Sequence, residues 1–128
     1  METGTFNIVG ESCFEVIKEF SLKHFALSYV MIFENLIIIH IDNFDHLYRE
    51  SEYTVAHIHK TSDIKLDIKL ITAGRRAGWT RRFSKSGWLE SRSLYYMHRE
   101  FIDVCNENNF KLSKCEMEVV KETVVDYK

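Results

Sequence analysis

The sequence predicts an α+β domain in which an antiparallel β-sheet of five to six strands carries two helices packed on one face. Three observations predict it. Two stretches repeat apolar residues at helical spacing. Several others are rich in β-branched and aromatic residues, and two pairs of these are separated by short polar turns. Hydrophobic residues make up 45% of the 128 positions against 28% charged, enough apolar surface to fill a core. Proline is absent, five glycines are scattered, and no repeat or low-complexity tract interrupts the chain. Residues 1–128 therefore read as a single domain.

Taken in order, residues 5–9 read as a short strand. Ser12 and Glu15 have the spacing of a capping box, and Cys13, Val16, Ile17, Phe20 and His24 then recur at helical spacing. Residues 29–33 and 36–42 form a hairpin around Glu34 and Asn35. The unbroken apolar run of residues 36–39 predicts burial on both faces and a central place in the sheet. A second hairpin joins residues 53–60 to 64–71 around Thr61, Ser62 and Asp63. In its second strand Ile64, Leu66, Ile68 and Leu70 share the core face, while Lys65, Asp67 and Lys69 share the wet one. Periodicity is lost over residues 73–91. Leu94, Met97, Phe101, Val104 and Cys105 then restore a helical stripe, with Ser93 as its expected cap and residues 106–109 as its end. Cys115, Met117 and Val119 alternate with Glu116 and Glu118, a last strand with room to continue through residues 124–127.

Charge is distributed unevenly around the formal net of −2. Residues 1–70 hold six lysines and arginines against eleven acids, whereas residues 74–99 hold seven against one. A basic island in an otherwise acidic chain suits a localised anion site better than a general nucleic-acid surface. Its core is GRRAGWTRRFSKSGW, residues 74–88. Arg75, Arg76, Arg81 and Arg82 supply planar forks that match phosphate or carboxylate oxygens, and Lys85 adds a fifth cation. Trp79, Phe83 and Trp88 are able to stack on bases, fill a protein pocket or lie beneath a guanidinium. A stacked base is worth about 1–3 kcal/mol, so two such contacts matter. The plainer reading is a solvated loop whose aromatics cover the edge of the core.

Histidines give the other constellation. His57 and His59 share one face of a strand, a geometry that serves a shared metal or an acid/base pair, but no third ligand is located and no metal is expected. No cofactor motif, nucleophile elbow or phosphate loop is present, so none is expected to supply chemistry. Asp42, Asp45, Glu50 and Glu52, with Tyr48 and Tyr53, form an acidic patch of the kind that can occupy the groove of a basic partner.

The function expected is that of a non-enzymatic binding or inhibitor protein. It would engage a protein or a nucleotide-containing ligand through Arg75, Arg76, Trp79, Arg81, Arg82, Phe83, Lys85 and Trp88. The small, proline-free, charge-split composition is compatible with toxin-immunity or phage counter-defence proteins. The alternative is a metal-independent phosphodiester-processing enzyme in which His57 or His59 works with His98 and an arginine of the island. Three cysteines without a CxxC pair, no signal-peptide pattern and no apolar run near the roughly 20 residues of a membrane helix point to the cytoplasm and to no membrane contact. A sheet edge at residues 115–125 offers a route to a homo-oligomer.

Overall fold

Among the described residues every strand pairing is antiparallel, and the pairings join into one sheet. The computed structural model describes residues 2–25, 29–45, 50–75 and 88–119. Along the chain these are β1 (Glu2–Val9), α1 (Cys13–His24), β2 (Tyr29–Ile32), β3 (Leu36–Asp45), β4 (Glu50–Ser62), β5 (Lys65–Arg75), α2 (Trp88–Glu107), β6 (Lys111–Leu112) and β7 (Glu116–Val119). The spatial order is β2-β3-β4-β5-β1-β6, with β7 also on β1. Helix α1 thus carries the chain from the interior strand β1 to the far edge, and the meander β2 to β5 returns it to β1.

The two shortest strands behave as one interrupted edge strand. Leu112 and Lys111 face Ile8 and Val9, while Glu116 to Val119 run back along Thr5 to Glu2. Between them Ser113 bridges the gap. Its N–H donates to the Asn7 carbonyl at 2.9 Å, and its Oγ accepts from the Asn7 N–H at 2.7 Å. Among the described residues the sheet is therefore six strands wide with two helices, the expected α+β class. The possible extension over residues 124–127 lies outside the described residues.

Period-two alternation places the core on one face. Phe6 and Ile8 of β1, Leu66, Ile68 and Leu70 of β5, Ala56 and Ile58 of β4, and Ile37, Ile39 and Ile41 of β3 are buried together with Cys13, Phe14 and Ile17 of α1. The expected stripe of α2, Leu94, Met97, Phe101, Val104 and Cys105, completes the cluster. Full burial of a large apolar side chain stabilises by about 1.5–3 kcal/mol, and Phe101, Leu94 and Met97 have no exposed surface.

Four local expectations are corrected. Ser12 lies in the left-handed region (φ 56°) and makes no side-chain cap. A capping side chain reaches the first-turn N–H groups from an extended backbone, so the Ser12–Glu15 box does not form. Ile64 sits in the β4–β5 turn, 52% exposed, where its carbonyl accepts from Gly10 N–H, rather than on the core face. Helix α2 begins at Trp88, so Ser93 is inside it and is not its cap. Finally, β3 lies beside the edge strand rather than in the middle of the sheet. Ile37 and Ile39 are fully buried, but Leu36 and Ile38 on its other side are only half-buried.

The end of α2 follows the expected asparagine run. Asn109 adopts φ 58°, Phe110 N–H donates to the Cys105 carbonyl at 2.9 Å, and Asn109 N–H reaches Asn106 at 3.4 Å. This is a Schellman motif, which satisfies carbonyls that the last turn leaves free. It also delivers the Phe110 ring against Gly10, at the junction of β1 and α1.

Candidate functional site

Strand register assembles the sheet face that carries no described helix. Residues directly opposite one another across a ladder point the same way, so the pairings can be read as rows. One row runs Met31, Ile38, His57, Lys69, Thr5 from β2 to β1. A second runs Tyr29, His40, Val55, Ile71, and a third Leu36, His59, Asp67, Asn7. The β2–β4 side of this face is therefore apolar and histidine-rich. The β5–β1 side is polar.

The histidines sit close together without converging. The rings of His57 and His59 are 6.4 Å apart between centroids, and that of His40 is 5.7 Å from Tyr53. Among the described residues no group of three His, Cys, Asp or Glu side chains is placed to hold a metal ion. Beside His59 a shallow groove of about 360 Å³ is lined by Thr5, Asn7, Lys65, Asp67 and Lys69. It opens to solvent, so its charges, Lys65, Asp67 and Lys69, are screened.

His98 belongs to a different environment. It projects from α2 onto the helix-covered side of the sheet, with its ring edge-on to Phe6 at 4.9 Å between centroids. Its Nε2 is buried without a hydrogen-bond partner, and burial pushes its pKa below the ordinary histidine value. The sheet stands between His98 and the pair His57 and His59. The three histidines of the enzymatic alternative are not brought together.

The expected binding segment is described only at its ends. Arg75 is the last residue of β5, in register with Ser51, and Trp88 is the first residue of α2. Arg76, Trp79, Arg81, Arg82, Phe83 and Lys85 lie outside the described residues, as does Tyr48 of the acidic patch. The register adds a relation that sequence distance hides. Asp45 pairs with Glu50, Glu52 with Gly74, and Ser51 with Arg75. The acidic stretch and the start of the basic island thus occupy the same end of the sheet.

Burial holds the thiols toward their protonated form. Cys13 and Cys105 are buried and Cys115 is half-buried, and none of the three is in a disulfide. Burial, then the neighbouring Cys13, pushes the Cys105 thiol up to about 11, and burial also raises Cys13 and Cys115. An unforeseen tie joins the helices: His24 Nε2 meets the Glu100 carboxylate at 2.9 Å, while its ring stacks on Phe20. The outer-face rows were also unforeseen, although Leu36 and Ile38 signal them as apolar residues where a wet face would show polar ones. No protein-family model matches the chain, and no curated protein matches it.

Proposed function

We propose that the protein is a non-enzymatic binding protein of the inhibitor kind, engaging a protein or nucleotide-containing partner through the segment from Arg75 to Trp88. The observation that carries this reading is the density of recognition groups there: five cations and three aromatic residues between positions 75 and 88. Guanidinium forks suit anionic oxygens, and the aromatic residues suit flat or apolar surfaces. Support comes from the segment's two anchors, since it leaves a paired strand at Arg75 and enters a 20-residue helix at Trp88. Anchored ends lower the entropy lost on binding. The separation of His98 from His57 and His59 weighs against phosphodiester chemistry by those residues.

Toxin-immunity and phage counter-defence proteins are the proposed type. The cytoplasm is the proposed location, supported by three cysteines that form no disulfide. No helix among the described residues is long and apolar enough to cross a membrane.

The test compares the wild type with Arg81→Ala/Arg82→Ala in retention of protein and nucleotide from a native lysate, with thermal unfolding in parallel. The variant is expected to lose the retained partner while its thermal midpoint stays nearly unchanged. Equal retention by both proteins removes the segment from the function.

A further inference from the structure

The two edges of the sheet are built differently. At one of them β6 and β7 present the exposed Lys111, Lys114 and Glu116, and the pairing is broken between Leu112 and Glu116. Charges and breaks of this kind keep an edge from pairing with another chain. At the other edge β2 runs in unbroken register along β3, and residues 29–33, YVMIF, hold no charge, proline or glycine. Among the described residues β2 has β3 as its one neighbour. Val30 and Ile32 pack against the core and hold the strand in place, while Tyr29, Met31 and Phe33 are 74%, 43% and 53% exposed.

Hydrogen-bond direction decides which groups this edge offers. Phe33 N–H donates to the Leu36 carbonyl at 2.8 Å, across the hairpin turn. Bonded pairs alternate with unbonded ones in an antiparallel ladder, so Met31–Ile38 and Tyr29–His40 are the next bonded pairs. The backbone N–H and C=O groups of Val30 and Ile32 therefore point away from β3, toward the edge.

We propose that β2 is a self-pairing edge: two copies of this chain join β2 to β2, antiparallel, about a two-fold axis that passes between the two Met31 residues perpendicular to the sheet. In this register Val30 of each copy lies opposite Ile32 of the other, and the outward N–H and C=O groups of both residues bond to one another. A shift by two residues leaves one of them without its counterpart. Tyr29 of each copy then meets Phe33 of the other, an aromatic cross-strand pair. Because the strand is uncharged, no like charges face each other within the paired stretch. Each copy has one β2, so the assembly closes at two. Five residues of strand make a contact of about 17 Å by 10 Å, far below the roughly 800 Å² that one partner gives a standard interface, so the dimer is weak and concentration-dependent. It stands whether or not the basic segment binds a partner.

Sedimentation equilibrium from about 20 μM to about 1 mM tests it, with Val30→Pro and Tyr29→Lys beside the wild type. The wild-type mass is expected to climb from 15.2 kDa toward twice that value. Val30→Pro is expected to raise the dissociation constant at least about tenfold, because it removes a donor that only the second copy uses. Proline is tolerated where a strand N–H faces outward, and circular dichroism checks that the variant is folded. Tyr29→Lys leaves every backbone donor in place and sets a charge on the edge, and it is expected to weaken the dimer as well. A wild-type mass that stays at 15.2 kDa over the whole range overturns the proposal, as does one that grows past the dimer. A dissociation constant unchanged by both variants also overturns it, since a dimer paired along the β6–β7 edge would behave that way.

Discussion

Replacing His98 with leucine probes whether an imidazole is held neutral between α2 and β1. Its Nε2 has no partner and is shielded from water, and an unsatisfied buried polar atom costs about 1–3 kcal/mol. Leucine removes that atom at similar volume, at the loss of the edge contact to Phe6. A net gain of about 1 kcal/mol is expected at pH 7.5. The pH dependence is more diagnostic than the gain itself. Burial depresses the folded-state pKa of His98 below its ordinary 6.5. As the pH falls below 6.5 the unfolded chain takes up a proton that the folded chain refuses, so stability falls with acid. Above 6.5 both states are neutral and the effect vanishes. The slope is at most about 1.4 kcal/mol per pH unit, and the half-buried ring keeps it under that ceiling. Urea unfolding of wild type and His98→Leu from about pH 8 to about pH 5 measures both, and their difference cancels all other ionisable groups, the His24–Glu100 pair included. The margin in favour of leucine should widen below 6.5. A difference that stays flat across this range refutes the neutral buried imidazole.

Two further outcomes follow from the packing. Gly10→Ala would place a Cβ into the Phe110 ring, within 2.9 Å even of Cγ, so a loss of about 1–3 kcal/mol in urea unfolding is expected, partly restored by adding Phe110→Leu; an unchanged midpoint contradicts the close approach. Cys105, with its thiol pushed up to about 11 from 9.0, should cost stability as pH rises between those values, because the unfolded thiol ionises first. Cys105→Ala should flatten that alkaline decline, and parallel curves would exclude the thiol as its source.

How far the fold could be read from the residues varied with the kind of signal. Strict alternation from Lys65 to Leu70 fixes which side of β5 meets the helices, because a one-residue slip would bury Lys65, Asp67 and Lys69. The stripe from Leu94 to Cys105 is equally direct. Signals that depend on backbone geometry were weaker guides. Ser12 and Glu15 have the right spacing for a capping box, but a left-handed Ser12 defeats it. The start of α2 at Trp88 lies five residues before the expected cap, in a stretch without periodicity. The edge strand β6 is two residues long, too short to leave a pattern. Pattern also reports environment without saying what provides it. The apolar outward positions of β3 predict a central location in the sheet, while the register puts the strand next to the edge. As for the candidate site, residue types made the basic island conspicuous. Only cross-strand pairing could place its first arginine beside the acidic stretch, or put a sheet between His98 and His57.

That juxtaposition bears on how the basic island recognises anything. Neighbouring strands are about 5 Å apart, so the start of β4 and the end of β3 lie within about 10 Å of Arg75, roughly one Debye length at physiological salt. Glu50 and Glu52 are on the nearer strand, Asp42 and Asp45 on the next. Acids on the two neighbouring strands therefore offset much of the field of Arg75 at longer range. A guanidinium at that position is selective through contact, by a fork that finds two oxygens, more than through its charge alone. Removing forks, as Arg81→Ala/Arg82→Ala does, is for that reason a sharper probe of the proposed function than raising the ionic strength.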